Sequence, residues 1–210
     1  MRRSFSILEW GEYSKRGEEI KVPAALGGFV SVGEVYVPLA HFLRGYKGKT
    51  PFFIGITGGV SAGKTSAGRI LQGLLGELGF SVELVSTDGF LYPNQKLQAL
   101  GLMERKGFPE SYDLAAMHSF CLAIREKRPV RLPIYDHALY DPTAEPRDIG
   151  TAEIFILDGL HLPLEQFFGS VLDFSLYLDA DEKVLWQWYL QRFLSLSAKG
   201  RNEPRSYYHR

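Results

Sequence analysis

One octapeptide constrains this chain more than anything else in it. Gly58-Gly59-Val60-Ser61-Ala62-Gly63-Lys64-Thr65 satisfies G-x-x-x-x-G-K-[ST] in full. It follows the nearly all-apolar run Phe52-Phe53-Ile54-Gly55-Ile56-Thr57, which suits a strand buried on both faces of a parallel sheet. Ile70, Leu71, Leu74, Leu75 and Leu78 come next at helical spacing. In a strand–loop–helix of this kind the glycines let successive backbone N–H groups curl around a polyphosphate, and the helix start adds its positive end. Lys64 would reach the β- and γ-phosphates of a nucleoside triphosphate, and the Thr65 hydroxyl would ligate Mg²⁺. Gly58, Gly59, Val60, Ser61, Ala62, Gly63, Lys64, Thr65 and Ser66 are therefore the candidate nucleotide contacts.

The remaining pattern fits the same architecture. Val82-Glu83-Leu84-Val85 reads as a second strand ending at Thr87-Asp88-Gly89, which completes a βαβ unit. Ser111-Tyr112-Asp113 can cap a helix with an apolar face of Leu114, Met117, Cys121 and Ile124. Ile154-Phe155-Ile156-Leu157 and Phe174-Ser175-Leu176-Tyr177-Leu178 each run into an aspartate, Asp158 and Asp179. Val184, Leu185, Trp188, Phe193 and Leu194 mark a last amphipathic helix, and Trp186, Trp188, Tyr189 and Phe193 are expected in the core first, or in part lining a pocket. Upstream, Ser31-Val32-Gly33-Glu34 has the form of a capping box, and Val35, Leu39, Phe42 and Leu43 follow at helical spacing, with Pro38 among them. Alternating strands and helices imply an α/β fold, a doubly wound and mostly parallel sheet flanked by helices. Residues 1–50 are expected to form an N-terminal extension and helix packed on a core domain of residues 51–210.

Composition narrows the function. Lys+Arg and Asp+Glu both number 24 in 210 residues, so no net field draws the chain to nucleic acid or anionic lipid. Cys121 is the only cysteine, which excludes an internal disulfide and any thiolate metal cluster. No apolar run approaches the roughly 20 residues that span a bilayer, and Glu9 and Glu12 interrupt any signal-peptide core after Met1-Arg2-Arg3. The expectation is a cytoplasmic protein without nucleic-acid or membrane partners.

A phosphate loop alone does not choose between an ATPase, a GTPase and a kinase, so the other strand ends decide. Asp88 is placed to accept the proton of an attacking hydroxyl or to bind Mg²⁺; otherwise it is a turn aspartate before Gly89. Asp158 has the form of a magnesium-binding Walker-B acid, or is likewise a strand-end Asp-Gly turn. His137, in Tyr135-Asp136-His137-Ala138-Leu139-Tyr140-Asp141, reads in isolation as a surface-loop histidine. Arg192 on the last helix is either a phosphoryl-stabilising cation or a solvated side chain.

At Ser86-Thr87-Asp88-Gly89-Phe90-Leu91-Tyr92-Pro93-Asn94, Gly101-Leu102-Met103 and Lys106-Gly107-Phe108-Pro109-Glu110-Ser111-Tyr112-Asp113, the chain resembles the bacterial type I pantothenate kinases. The likeness extends through Val35-Tyr36-Val37-Pro38-Leu39, Pro133-Ile134-Tyr135, Ile156-Leu157-Asp158-Gly159-Leu160 and Trp188-Tyr189-Leu190-Gln191-Arg192-Phe193. It implies ATP-dependent phosphorylation of the primary hydroxyl of pantothenate, the first step of coenzyme A synthesis, with ATP and Mg²⁺ as cofactors. It also implies catalytic roles for Asp88, Lys64 and Arg192, a pantothenate site of Asp88, Tyr135, His137 and Tyr189, and metal contacts from Thr65 and Asp158. Coenzyme A feedback would fall on Lys64, Arg69 and His137, with Arg69 joining the nucleotide contacts, and the assembly would be a homodimer.

The chain departs from that family at three places. Asp158 stands where the family carries glutamate, the segment from Leu160 to Asp173 is shorter, and family members continue past Tyr208 through an asparagine that binds pantothenate. The expectation is a P-loop kinase domain shortened at its C-terminal end. Three readings remain: a pantothenate kinase, a kinase of another small hydroxylated metabolite such as a nucleoside or sugar phosphate, and a non-catalytic nucleotide- or coenzyme A-binding relative. The stretch from Gly101 to Asp113 favours the first.

Overall fold

The computed structural model describes residues 32–159 and 171–200. Four strands, β1 (Phe52–Gly58), β2 (Val82–Ser86), β5 (Ile154–Asp158) and β6 (Phe174–Leu178), form a wholly parallel sheet in the order β2-β5-β1-β6. Every residue of β1 and β5 is buried, whereas β2 and β6 at the edges are only partly covered. That contrast explains the near-continuous apolar runs of the two central strands, which must satisfy a packing layer on each face.

Side-chain alternation sorts those layers. Phe52, Ile54, Ile56, Ile154 and Ile156 face α1 (Val37–Tyr46) and α2 (Lys64–Glu77), where Leu39, Phe42, Leu43, Ile70, Leu71, Leu74 and Leu75 complete one core. Phe53, Phe155 and Leu157 point the other way, toward Met117, Phe120, Cys121 and Ile124 of α4 (Leu114–Arg125). Phe53 stacks on Phe155 with ring centroids 5.4 Å apart. Asp113 caps α4, its carboxylate accepting from the Ala116 N–H at 2.8 Å, as the sequence predicts. A six-residue helix α3 (Asn94–Ala99) and three short 3₁₀ turns fill the segment between β2 and α4.

A π turn, Val32–Tyr36, leads into α1, and Pro38 occupies the first turn of that helix, where its missing N–H has no helical acceptor to lose. The helix expected there exists; Ser31, the other half of the expected capping box, lies outside the described residues. The segments 1–30 and 201–210 of the expected domain division lie outside them as well.

Two features differ from the sequence reading. The sequence reading assigns no strands to the antiparallel hairpin of β3 (Val130–Asp136) and β4 (Asp141–Ile149), a separate two-stranded ribbon whose turn carries His137 on the surface, as expected for it in isolation. Pro133, Pro142 and Pro146 obscured it, since proline is tolerated only where a ribbon leaves its N–H side unpaired. The last helix, α5 (Glu182–Gly200), is present, but Trp186, Trp188, Tyr189 and Phe193 are not core residues. They are 64%, 44%, 41% and 45% exposed. Apolar residues fall on every side of this helix, so no single stripe turns inward. Among the described residues no helix is long and apolar enough to cross a membrane.

Two glycines give opposite predictions. A Cβ on Gly159 would run into the buried Thr87 side chain, so Gly159→Ala should destabilise the fold by about 1–3 kcal/mol. Gly76, inside α2 with open space around it, should gain about 0.5–1 kcal/mol as alanine. Denaturant midpoints of the two variants check both signs, and a stable Gly159→Ala would contradict the close approach of β5 to the Thr87 turn.

Candidate active site

The site is built by strand register. In the parallel pairings Asp158 lies level with Ile56 of β1 and Ser86 of β2. Two residues beyond Ile56 begins the phosphate loop, and two beyond Ser86 comes Asp88. β1 continues to the β2 edge and β5 to the β6 edge, so the chain diverges here and leaves a crevice at the carboxyl ends of the strands.

Close packing fixes the loop. Gly58 has φ +150°, and a Cβ there would lie 2.5 Å from the Leu178 carbonyl oxygen at the end of β6. Gly59 would meet Leu185 of α5 at 3.1 Å. Gly63 caps α2 from the left-handed region at φ +84°, and Ser61 sits at φ +63° without being glycine. Lys64 donates to the carbonyls of Gly58 at 3.1 Å and Gly59 at 2.7 Å. Val60, Thr65, Ser66 and Arg69 are exposed on the loop and the first turns of α2.

Among the described residues two buried side-chain polar atoms lack a hydrogen-bond partner, Ser61 Oγ and Asp158 Oδ2. Both belong to this crevice. A buried carboxylate oxygen without a donor is costly unless a ligand completes it, and Asp158 is 3% exposed. The residues therefore fit a Mg²⁺–nucleotide. The described residues hold no group of three or more acids, histidines or cysteines that could cage a metal. That is the ordinary arrangement for Mg²⁺, which binds one or two carboxylates together with phosphates and water.

Asp88 lies on the 3₁₀ turn Thr87–Phe90, opened by the Ser86 side chain accepting from the Asp88 N–H at 3.4 Å. The turn is clamped from two sides. The carbonyl of Pro133 in β3 approaches Gly89 so closely that a Cβ could not fit. Leu91 bridges to Tyr112, and the Asp113 N–H donates to Phe90 O at 2.8 Å. The bridge brings the buried Tyr112 hydroxyl to Asp88 Oδ1 at 3.3 Å. Burial pushes the Asp88 pKa up, with His137 opposing and Asp158 adding to the rise. Tyr112 in turn is pushed far above the usual phenol range by burial and then by the Asp88 charge, so it stays a donor.

The charged groups named from sequence converge here. Burial lowers the Lys64 pKa, while Asp158 and Asp88 hold it up and Arg192 depresses it further. His137 is lowered by desolvation and by Arg192, which keeps the ring largely neutral at pH 7 even though it is exposed at the hairpin turn. Arg192 thus acts on both Lys64 and His137 from α5. Tyr135 meets His137 edge-on at 5.1 Å between ring centroids. Tyr189 stacks on Trp186 of its own helix at 5.7 Å between ring centroids and is 41% exposed. Sequence reasoning gave no role to Tyr112, whose only signal was its place in the Gly101–Asp113 stretch.

The shift on Asp88 has a stability consequence whose sign is fixed. The folded chain keeps its proton to higher pH than the ordinary 3.8, so this group favours folding most at low pH and loses that contribution as pH rises through the folded value. Asp88→Asn, which is never charged, should therefore be more stable than the parent at pH 8, with the advantage shrinking toward pH 4.5. Thermal midpoints across that range check it, and an advantage that grew on acidification would contradict the burial of this carboxylate.

The phosphoribulokinase/uridine kinase family model matches residues 53–202. A pantothenate kinase of Ligilactobacillus salivarius is 39% identical over 85% of this chain and 67% of its own length. One from Xanthobacter autotrophicus is 36% identical over 99% of this chain and 79% of its own. This chain thus spans from about two thirds to four fifths of those relatives. Among solved structures, a putative fructose transport system kinase from Silicibacter sp. TM1040 superposes with a TM-score of 0.70 at 24% identity, over 76% of this chain and 81% of that one, a likeness of fold.

Proposed function

The chain belongs to the phosphoribulokinase/uridine kinase family, as one of its pantothenate kinases, and on that premise we propose that it phosphorylates the primary hydroxyl of pantothenate with ATP, opening coenzyme A synthesis. The observation that carries the reading is a half-buried, tyrosine-bonded carboxylate, Asp88, between a phosphate loop and an aromatic hairpin in one crevice.

Phosphoryl transfer asks little covalent chemistry of the protein and much positioning and charge neutralisation. Asp88 orients the acceptor hydroxyl and takes its proton, and burial raises its basicity toward that task. Tyr112 holds one carboxylate oxygen, leaving the other for the hydroxyl. Lys64, the amino end of α2 and Arg192 neutralise charge on the transferred group. Thr65 and Asp158 would hold Mg²⁺, which when bound supplies neutralisation of the phosphate oxygens. Tyr135 and neutral His137 offer an apolar wall and a hydrogen-bonding edge to the acceptor chain, and Tyr189 joins them from α5. The same reading gives coenzyme A as a feedback ligand over Lys64, Arg69 and His137, a homodimeric assembly and a cytoplasmic setting.

A coupled ADP-release assay with Mg²⁺ and ATP, comparing pantothenate, uridine, ribulose 5-phosphate and no acceptor, tests this. Pantothenate should give the highest kcat/KM, and Lys64→Ala should lower it by about 10²–10³. Equal turnover without an acceptor, or preference for another one, would overturn the assignment.

A further inference from the structure

Lys106 is the least expected side chain in the molecule. It lies in a connecting segment between short turns, yet its side chain is only 2% exposed. A buried ammonium is expensive unless each of its three N–H groups finds an acceptor. Here Nζ donates to the carbonyl oxygen of Tyr140 and to Asn94 Oδ1, each at 2.5 Å, and Asp141 Oδ1 stands 4.0 Å away. Nζ also lies 4.4 Å from the Tyr140 ring centroid and 5.2 Å from that of Tyr135.

These partners are two parts of the acceptor side that are otherwise distant in sequence. Tyr140 and Asp141 close the turn of the β3–β4 hairpin, and Tyr140 is held at φ +57°, a region a bulky residue seldom adopts. Asn94 opens α3, just after the segment that carries Asp88. It repeats the link, its Nδ2 donating to Tyr140 O at 3.0 Å and its backbone N–H to Asp141 Oδ1 at 2.9 Å. Tyr135, whose ring lies 6.3 Å from that of Tyr140 and 5.1 Å from that of His137, stands on the same hairpin. Among the described residues the two-stranded ribbon belongs to no larger sheet, so its tip depends on such side-chain ties for its position.

We propose that Lys106 is the positioning residue of the acceptor site: with Asn94 it ties the hairpin tip to the Asp88 segment and so fixes where Tyr135 and His137 meet the acceptor. With two donors on Tyr140 O and Asn94 Oδ1 and the Asp141 carboxylate 4.0 Å away, Lys106 acts through the hairpin and not by touching substrate. The proposal rests on the acceptor reading given above, and its test separates the two.

Lys106→Met and Asn94→Ala, made in the full chain, each remove one link of the tie, and the second keeps the Lys106 ammonium on the Tyr140 carbonyl oxygen if the first fails to fold. In the absence of any substrate, amide hydrogen exchange should speed up across residues 136–141 in both, with the amides of α2 unchanged. With substrates, the KM for pantothenate should rise by roughly tenfold or more while the KM for ATP stays within about twofold. Unchanged exchange at the hairpin overturns the proposal whatever acceptor the parent enzyme uses. Faster exchange with an unchanged pantothenate KM, or equal rises in both KM values, overturns it too. Failure of the parent to phosphorylate pantothenate would count against the acceptor reading alone, because the exchange measurement still decides the tie.

Discussion

The parallel pairing of β1 with β5 is the constraint from which the site follows. It sets Asp158 level with Ile56 and, through β2, with Ser86, so the phosphate loop, the buried acid and the Asp88 turn all leave the sheet at one height. The Gly159 N–H donates to Ile56 O at 3.0 Å, which carries that register past the last strand residue. A slip of one residue would send every side chain of a strand to the opposite layer, and both layers here are full cores. The apolar packing that holds the register therefore also holds the chemistry.

What the packing gathers is unfavourable on its own. Two carboxylates, Asp88 and Asp158, share a partly dry crevice with Lys64 and Arg192, and burial works against the charged forms of Asp88 and Lys64. Burying charge without full pairing costs stability, while the same low-dielectric setting strengthens each charge's action on a bound polyphosphate and its acceptor. The orphaned oxygens of Ser61 and Asp158 belong to the same balance, since a bound ligand would supply the partners that the described residues do not. The positive φ of Ser61 adds backbone strain at the same loop.

Sequence periodicity exposed most of the scaffold. β1, β2, β5 and β6 were legible because strands covered on one or both faces are short apolar runs ended by turn residues, and α4 because Asp113 caps an apolar stripe. The phosphate loop was legible because its backbone geometry demands glycine and its chemistry demands lysine and a hydroxyl. The hairpin was hidden by its prolines and polar residues, and with it the clamp on Gly89. Tyr112 and Lys106 escaped assignment because nothing local marks a tyrosine that reaches a carboxylate 24 positions away or a lysine that is buried. The aromatic residues of α5 misled because large apolar side chains suggest a core wherever they occur, and only the fold shows that this helix turns them outward.

The central claim is that one crevice both binds the nucleotide and, through Asp88, activates the acceptor, as separable tasks of adjoining strand ends. The most direct test measures ATP affinity and single-turnover phosphorylation of pantothenate side by side in the parent and in Asp88→Asn. The account predicts an ATP affinity within about twofold of the parent and a transfer step slowed by roughly 10²–10⁴, the range that a positioned general base contributes. Transfer at close to the parent rate, or ATP binding lost together with transfer, would contradict it.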